Sequence, residues 1–276
     1  MKTLTSYITL SIALISLNAG AANTVAHRFN NFVSHNNCQA NIAPQSIAGL
    51  TFNLTVDQPS SVIQAGFATQ GAIAQSYTEQ QQFSGIAAGD PTHQANQGHY
   101  SYHRLGANKA VEQAVDFVKG AYVTYYTFAT PSSGQYQQTF SGGDTVINGT
   151  FSAINSNATA LAPTSIAGLN IALTITDTVS DLPGGYPTSG VVVQTYSSDN
   201  TYTAKGIGEG NIDSIGSYQY QRLSANTAVE TALQMSDFFT LPYTMVYTFE
   251  TENSGTWYQN FAGGTIIFKG TFSTFK

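Results

Sequence analysis

The sequences GHYSYHRLGANKAVE at residues 98–112 and GSYQYQRLSANTAVE at residues 216–230 are two copies of one pattern. Two further blocks recur in the same order, at 44–56 and 163–175 and at 126–152 and 247–273. Repetition of three blocks in one order indicates a tandem duplication of a whole domain. Each copy is therefore a control on the other, because a residue kept in both copies is expected to serve the shared fold.

Alternating apolar and polar residues run through most of each copy, as in LTFNLTV at 50–56. Such alternation is typical of a strand with one buried face. Short turns rich in Gly, Pro, Asn and Ser separate these runs, so neighbouring strands must be antiparallel. The pattern predicts an all-β chain of two antiparallel lobes, each with about eight strands. Each lobe is expected to close into a small barrel, with a β-sandwich as the alternative.

The segment 109–119 carries two conflicting patterns. Ala110, Val111 and Ala114 have helical spacing, and Asn108 before them is a suitable N-cap. The alternation of residues 100–104, followed by Gly-Ala-Asn, instead favours the two arms of a hairpin. We interpret the segment as a strand, with a helix as the alternative. The sequence leaves open whether the two lobes form two barrels or share one.

The first residues predict a signal peptide over 1–21. Lys2 is followed by the apolar run 7–17 and by the small residues Ala19, Gly20 and Ala21. A bilayer span takes ~20 residues, so a retained anchor is the less favoured alternative and no membrane span is expected after cleavage. The other predicted parts are a polar N-terminal extension, lobe 1, a linker and lobe 2, at 22–44, 45–154, 155–163 and 164–276. Export to the periplasm or out of the cell follows from the signal.

Composition argues against several classes of partner. Charged residues are 9% of the chain and the net charge is -6, with no basic cluster. Nucleic acid and anionic membrane surfaces are therefore not expected partners. The single cysteine, Cys38, cannot form an intramolecular disulfide.

Catalytic and metal-binding motifs are missing from the sequence. It contains no Gly-x-Ser-x-Gly elbow, no His-Glu-x-x-His and no phosphate-binding loop. All five histidines precede lobe 2: His27, His35, His93, His99 and His103. On a strand, four residues place His99 and His103 ~13 Å apart, too far to share an ion. No metal, cofactor or catalytic residue is expected.

Several of the repeated motifs resemble those of a known module. Each copy has Ser-Ile-Ala-Gly-Leu (46–50 and 165–169), Gly-x-Tyr-x-Tyr-x-Arg with Ala-Asn-x-Ala, and Tyr-Thr-Phe with Gly-Thr-Phe-Ser. The chain thus resembles tandem modules of exported bacterial proteins with calycin-like barrels of the MoaF type. The resemblance covers both lobes and implies an antiparallel barrel with room for an interior cavity, but no particular activity. Both copies depart from it at Glu112 and Glu230, where such modules carry an apolar residue.

One charged pair is kept in both lobes, Arg104 with Glu112 and Arg222 with Glu230. A three-residue hairpin loop would place both members on one face as diagonal neighbours. They would then form either an interior pair that binds a polar or anionic ligand, or a structural ion pair at one barrel end. Tyrosines alternate onto the same face and either fill the interior or stack on a ligand. The candidate binding residues are therefore Tyr100, Tyr102, Arg104, Glu112, Tyr218, Tyr220, Arg222 and Glu230.

Three functions are consistent with this pattern. The leading one is an exported non-enzymatic protein that binds a small molecule or glycan in or on the lobes. The second is a structural or interaction protein of the envelope or secreted fraction, with filled barrels that contact another protein. The third is an isomerase-like or lyase-like enzyme that uses an interior Arg–Glu pair.

Overall fold

The computed structural model describes residues 41–59, 67–90, 92, 95–143, 145–180, 187–261 and 265–276. The predicted signal peptide, most of the predicted N-terminal extension, and Cys38, His27, His35 and His93 lie outside these residues. Within them the regular structure is all strand. No helix in this part of the chain is long and apolar enough to cross a membrane.

Each lobe is a closed barrel of antiparallel strands in which neighbours along the chain pair with one another. Barrel 1 consists of β1 (Leu50–Pro59), β2 (Ala72–Tyr77), β3 (Gln82–Ala88), β4 (Gln97–Arg104), β5 (Lys109–Asp116), β6 (Gly120–Thr130), β7 (Ser133–Phe140) and β8 (Val146–Asn155). Barrel 2 consists of β9 (Asn170–Ser180), β10 (Gly190–Tyr196), β11 (Thr201–Ile207), β12 (Ser214–Arg222), β13 (Thr227–Met235), β14 (Thr240–Thr251), β15 (Ser254–Phe261) and β16 (Ile266–Phe275). The first strand of each barrel pairs with the last, β1 with β8 and β9 with β16.

The predicted all-β fold of two tandem antiparallel barrels is confirmed, and the sandwich alternative is wrong. The strand interpretation of 109–119 is confirmed for Lys109–Asp116, because β5 pairs with β4 and β6, whereas 117–119 form the turn that leads into β6. Ala110, Glu112 and Ala114 alternate into the barrel interior. The apparent helical spacing arose because Val111, on the outer face, is apolar as well.

A short segment before the first strand closes one end of each barrel. The N–H groups of Ile42 and Ala43 donate to the carbonyl of Ala107, and Leu161 and Ala162 donate in the same way to Ala225. The isoleucine of each Ser-Ile-Ala-Gly-Leu motif, Ile47 or Ile166, is fully buried. Gly49 and Gly168 follow with φ of 78° and 79°, a conformation that favours glycine. The repeated motif is therefore a plug that turns the chain into the first strand.

Aromatic rings fill the middle of both barrels. In barrel 1 the rings of Phe52 and Phe151 stack at 5.2 Å, and Tyr126 meets Phe52 edge-on at 5.3 Å. In barrel 2 the ring of Phe272 meets Tyr247 and Phe249 edge-on at 5.3 and 4.9 Å. These contacts between rings hold the strands of both barrels at a similar radius.

Candidate functional site

Glu112 lies inside barrel 1 on β5, and its side chain is fully buried. Three tyrosines donate to its carboxylate: Tyr122 to Oε1 at 3.0 Å, and Tyr77 and Tyr126 to Oε2 at 2.9 and 2.6 Å. The Gln75 amide donates to the hydroxyls of Tyr77 and Tyr122, each at 2.9 Å. Every tyrosine proton is therefore free to point at the carboxylate, an arrangement that suits an ionised group. We call these five residues the barrel 1 carboxylate cluster.

Barrel 2 repeats the arrangement around Glu230 on β13, which is also fully buried. Tyr243 donates to Oε1 at 2.6 Å, and the hydroxyls of Tyr196 and Tyr247 lie 2.7 and 2.8 Å from Oε2. The hydroxyl of Tyr196 also lies 2.7 Å from Oε1 of Gln194. One hydroxyl proton cannot serve two acceptors, and a proton on Glu230 would complete this barrel 2 carboxylate cluster.

Burial dominates the electrostatics of both clusters. It raises the pKa of the Glu112 and Glu230 carboxyl groups above their usual value, although the tyrosine hydrogen bonds partly offset it. Burial, and then the nearby carboxylate, raise the pKa of the surrounding tyrosines well above 10.0. Neither carboxyl group pairs with a cation in the described part of the chain. The clusters are enclosed hydrogen-bonded networks.

The predicted ion pair between Arg104 and Glu112 is not formed. Tyr102 lies directly opposite Glu112 across β4 and β5, so Arg104 is the diagonal neighbour, as expected. However, its guanidinium extends towards the barrel end and lies beside the side-chain amide of Gln45, whose oxygen accepts from Nη1 at 3.0 Å when the amide is turned with that oxygen towards the arginine. There the guanidinium keeps contact with water, whereas the interior would require its desolvation.

Arg222 behaves in the same way in barrel 2. Its Nη1 donates to the carbonyl of Ala162 at 3.3 Å, on the segment that closes the barrel, and it does not pair with Glu230. The two arginines thus secure the closing segments, and the carboxyl groups are satisfied by tyrosines instead.

The four candidate tyrosines on β4 and β12 face the interiors, and their hydroxyls bond to main-chain carbonyls. The pairs are Tyr100 with Thr78 (2.9 Å), Tyr102 with Pro44 (3.2 Å), Tyr218 with Ser197 (3.0 Å) and Tyr220 with Pro163 (3.2 Å). These contacts tie turns and closing segments to the barrel wall. They match the interior-filling interpretation of the tyrosines.

A cavity of about 290 Å³ lies inside barrel 2, at the end opposite the closing segment. The connections β11–β12 and β13–β14 contribute Asn211 and Phe238 to its mouth, and Gln194 lies at its base. Its wall is mostly apolar and includes Ile175, Val192, Leu241, Trp257, Phe261 and Phe268. Gln194 belongs to the barrel 2 carboxylate cluster, so it joins the cavity to the buried network.

The polar groups in the cavity wall are all uncharged. Besides Gln194 they include Gln234, Gln259, Asn211 and Ser214, and the described lining contains no Asp, Glu, Lys or Arg. Nδ2 of Asn211 donates to the carbonyls of Ser189 and Glu209. Its Oδ1 is buried and has no hydrogen-bond partner among the described residues.

The corresponding space in barrel 1 is only about 50 Å³. The ring of Phe67 fills it and packs 4.6 Å from the ring of Phe140. Nζ of Lys119 lies 5.0 Å from the centre of the Phe67 ring, and Asp116 also lines the space. This end of barrel 1 is therefore filled and carries charged residues, whereas that of barrel 2 is hollow and uncharged.

None of the tyrosines that bond to the two carboxyl groups was among the candidate residues predicted from the sequence. Gln75 with Tyr77 and Gln194 with Tyr196 form a repeated Gln-x-Tyr pattern. The pairs Tyr122 with Tyr126 and Tyr243 with Tyr247 are a second repeated pattern, four residues apart on one strand face. The presence of both patterns in both copies was the signal that could have identified these residues. The two patterns are far apart in sequence, so their meeting at one glutamate in each barrel was not evident.

Comparison with known proteins adds no relative. No protein-family description matches this chain, and no curated protein matches its sequence.

Proposed function

We propose that the protein is an exported, non-enzymatic protein that binds one small molecule in the cavity of barrel 2. The observation that carries the proposal is the contrast between about 290 Å³ in barrel 2 and about 50 Å³ in barrel 1. Protein interiors are normally packed without such voids, so a hollow in one of two related barrels indicates a binding site. Export rests on the signal peptide predicted over 1–21.

The wall chemistry supports an uncharged, mainly apolar ligand. Burying an ion among these side chains would cost several kcal/mol without an opposite charge, and the described lining offers none. A polar group on the ligand would reach the side-chain amide of Gln194 or Gln259 in the cavity wall. A glycan fits less well, because its many hydroxyls would meet a wall that is largely aromatic and aliphatic.

The other functions receive weaker support. A structural role for filled barrels fits barrel 1 but not barrel 2. An enzyme built on an interior Arg–Glu pair lacks that pair, and neither glutamate lines the cavity. We also propose the calycin-like, MoaF-type assignment, which is supported by eight-stranded closed barrels in tandem.

Dye binding tests the proposal, with Trp257 as the reporter because it is the single tryptophan and lines the cavity. The neutral dye N-phenylnaphthylamine should bind with one site per chain and quench Trp257 by energy transfer. Its sulfonated analogue, anilinonaphthalene sulfonate, should bind about tenfold more weakly or worse, because its charge would be buried unpaired. Absence of saturable binding by the neutral dye, or equal binding of both dyes, would overturn the proposal.

A variant with a filled cavity, paired with a control variant, tests where the dye binds. Val192→Phe places a ring in the cavity and should abolish binding of the neutral dye. Thr203→Phe adds the same ring on the exposed outer surface of the neighbouring strand and should leave binding unchanged. Loss of binding in both variants, or in neither, would contradict the placement of the site.

A further inference from the structure

The two barrels are held together by an apolar contact between unlike faces. The β13–β14 face of barrel 2 consists of Leu223, Val229 and Val246. It packs on Ala72 and Ala74 of barrel 1 in one buried cluster. Hydrogen bonds frame it: Nδ2 of Asn53 donates to Oδ1 of Asn226 at 3.0 Å, and Oγ1 of Thr244 donates to the carbonyl of Gly89 at 3.0 Å. We call Asn53, Ala72 and Ala74 the β1–β2 face.

Because the barrels are copies of one fold, each should carry both faces. Barrel 1 uses its β1–β2 face inside the chain, which leaves its own β5–β6 face unused. Barrel 2 uses its β13–β14 face, which leaves its β9–β10 face unused. Because the contact inside the chain joins unlike faces, each barrel has one face that the contact does not use. The two unused faces are of different kinds.

The free β5–β6 face of barrel 1 is Leu105, Val111 and Tyr125. Leu105 corresponds to Leu223 and is 59% exposed, against 6% for its counterpart. Tyr125 lies opposite Val111 just as Val246 lies opposite Val229, and it is 43% exposed against 3%. Val115, further along β5 on the same outer surface, is exposed as well. Leu105, Tyr125 and Val115 are therefore exposed on this surface, whereas Val111 between them is only 9% exposed.

The free β9–β10 face of barrel 2 is Ala172, Val191 and Val193. Val191 and Val193 take the places of Ala72 and Ala74, and Ala172 takes that of Asn53. None of the three is buried, and Ile207, opposite Val191 on β11, is 55% exposed. Together these four aliphatic side chains form one outer patch across β9, β10 and β11.

We propose that the free β9–β10 face of one chain binds the free β5–β6 face of a second copy. The contact joins unlike surfaces, so the resulting dimer still has one free face of each kind, and assembly continues into a linear or ring-shaped oligomer. The cavity of barrel 2 takes no part in this contact, so the assembly stands or falls independently of ligand binding.

The contact between chains should be weaker than the contact within one. Alanines at 72 and 74 let the β13–β14 face approach closely, whereas Val191 and Val193 are larger, and Tyr125 is larger than Val246. The surfaces must therefore meet at a wider spacing. Covalent linkage also raises the effective concentration inside the chain, an advantage that two separate copies lack.

Sedimentation velocity over a range of concentrations tests the proposal on the purified protein. Wild type should form a concentration-dependent series beyond the dimer. Tyr125→Glu blocks one free face and Val193→Glu the other, so each variant alone should associate about tenfold more weakly or worse. A mixture of the two variants retains one intact pair of faces and should give a discrete dimer.

Thr256→Glu is the matched control, since Thr256 is exposed and lies on β15, which β16 separates from β9. It should assemble like wild type, and circular dichroism should show that all variants are folded. A wild type that stays monomeric up to its solubility limit would overturn the proposal. So would a mixture that fails to dimerise, or a Val193→Glu variant that associates like wild type, as it would if two β5–β6 faces met symmetrically.

Discussion

Barrels 1 and 2 agree in their middle and differ at one end. Both enclose a glutamate held by three tyrosine hydroxyls, with a glutamine beside it. At the end beyond that glutamine, Phe67 fills barrel 1, whereas barrel 2 has a cavity of about 290 Å³. The shared feature therefore belongs to the fold, and the feature confined to one copy is free to serve a function.

The comparison also shows how the fold tolerates a buried acid. The cost of desolvating a carboxyl group is met by several short hydrogen bonds from hydroxyls that are themselves fixed by packing. A buried arginine would have needed five donors satisfied in the same space, and both arginines instead lie at the barrel end.

The largest expected effect comes from removing either buried glutamate. Glu112→Ala and Glu230→Ala each leave three buried tyrosine hydroxyls without their acceptor and open a void. Each should therefore lower the free energy of unfolding by about 3 to 5 kcal/mol. Urea titration followed by circular dichroism measures the loss, and Trp257 fluorescence reports separately on barrel 2. Glu250→Ala, at an exposed site on β14, is the control and should change little. A large loss in only one barrel would show that the cluster does not belong to the shared fold.

A smaller effect is expected from a substitution that makes the end of barrel 1 resemble the hollow end of barrel 2. Phe67→Ala removes the ring that packs on Phe140, and should lower the free energy of unfolding by about 1 to 3 kcal/mol because Phe67 is only partly buried. The new space should bind a second equivalent of N-phenylnaphthylamine, measured by titration against wild type. Phe67→Leu keeps most of the volume and should bind one equivalent. If Phe67→Ala also binds one, the ring of Phe67 is not what distinguishes the barrels.

The sequence was sufficient for the architecture because the relevant signals are local. Alternation in runs such as 50–56 defines which residues face inward, and short turns allow only antiparallel neighbours. Because the chain contains two copies of the domain, each strand is predicted from two separate stretches of sequence. Even the ambiguous segment 109–119 is resolved by the alternating partner at 100–104.

The site was harder to predict because it depends on which inward residues meet across the barrel. Tyr77 and Glu112 are far apart in sequence, and their contact follows from barrel closure and from the relative heights of β2 and β5. The pairing of Arg104 with Glu112 was the simplest electrostatic hypothesis, but it ignored the cost of moving a guanidinium inside. The difference in volume between the two barrels involves Phe67, which lies in a connection outside the repeated blocks.

The smallest predicted effect is a difference in pH dependence between the two glutamates. A carboxyl group whose pKa is raised on folding is protonated in both states at low pH, so its contribution to stability is complete there. As the pH rises above about 4.5, the unfolded chain ionises first and stability falls until the folded group ionises, by at most about 1.4 kcal/mol per pH unit for one group. Burial raises the pKa of both groups, so wild type should lose stability over this range.

The hydrogen bonds around Glu112 and Glu230 differ, so the two glutamates should contribute differently to the pH dependence of stability. In barrel 1, Gln75 donates to the tyrosines and leaves their protons for an ionised Glu112. In barrel 2, Tyr196 faces two acceptors, and a proton held by Glu230 resolves the conflict. Glu230→Gln should therefore flatten the pH dependence of the urea midpoint more than Glu112→Gln does, and the double variant should remove most of it. Equal flattening by the single variants would mean that the two networks hold their protons alike.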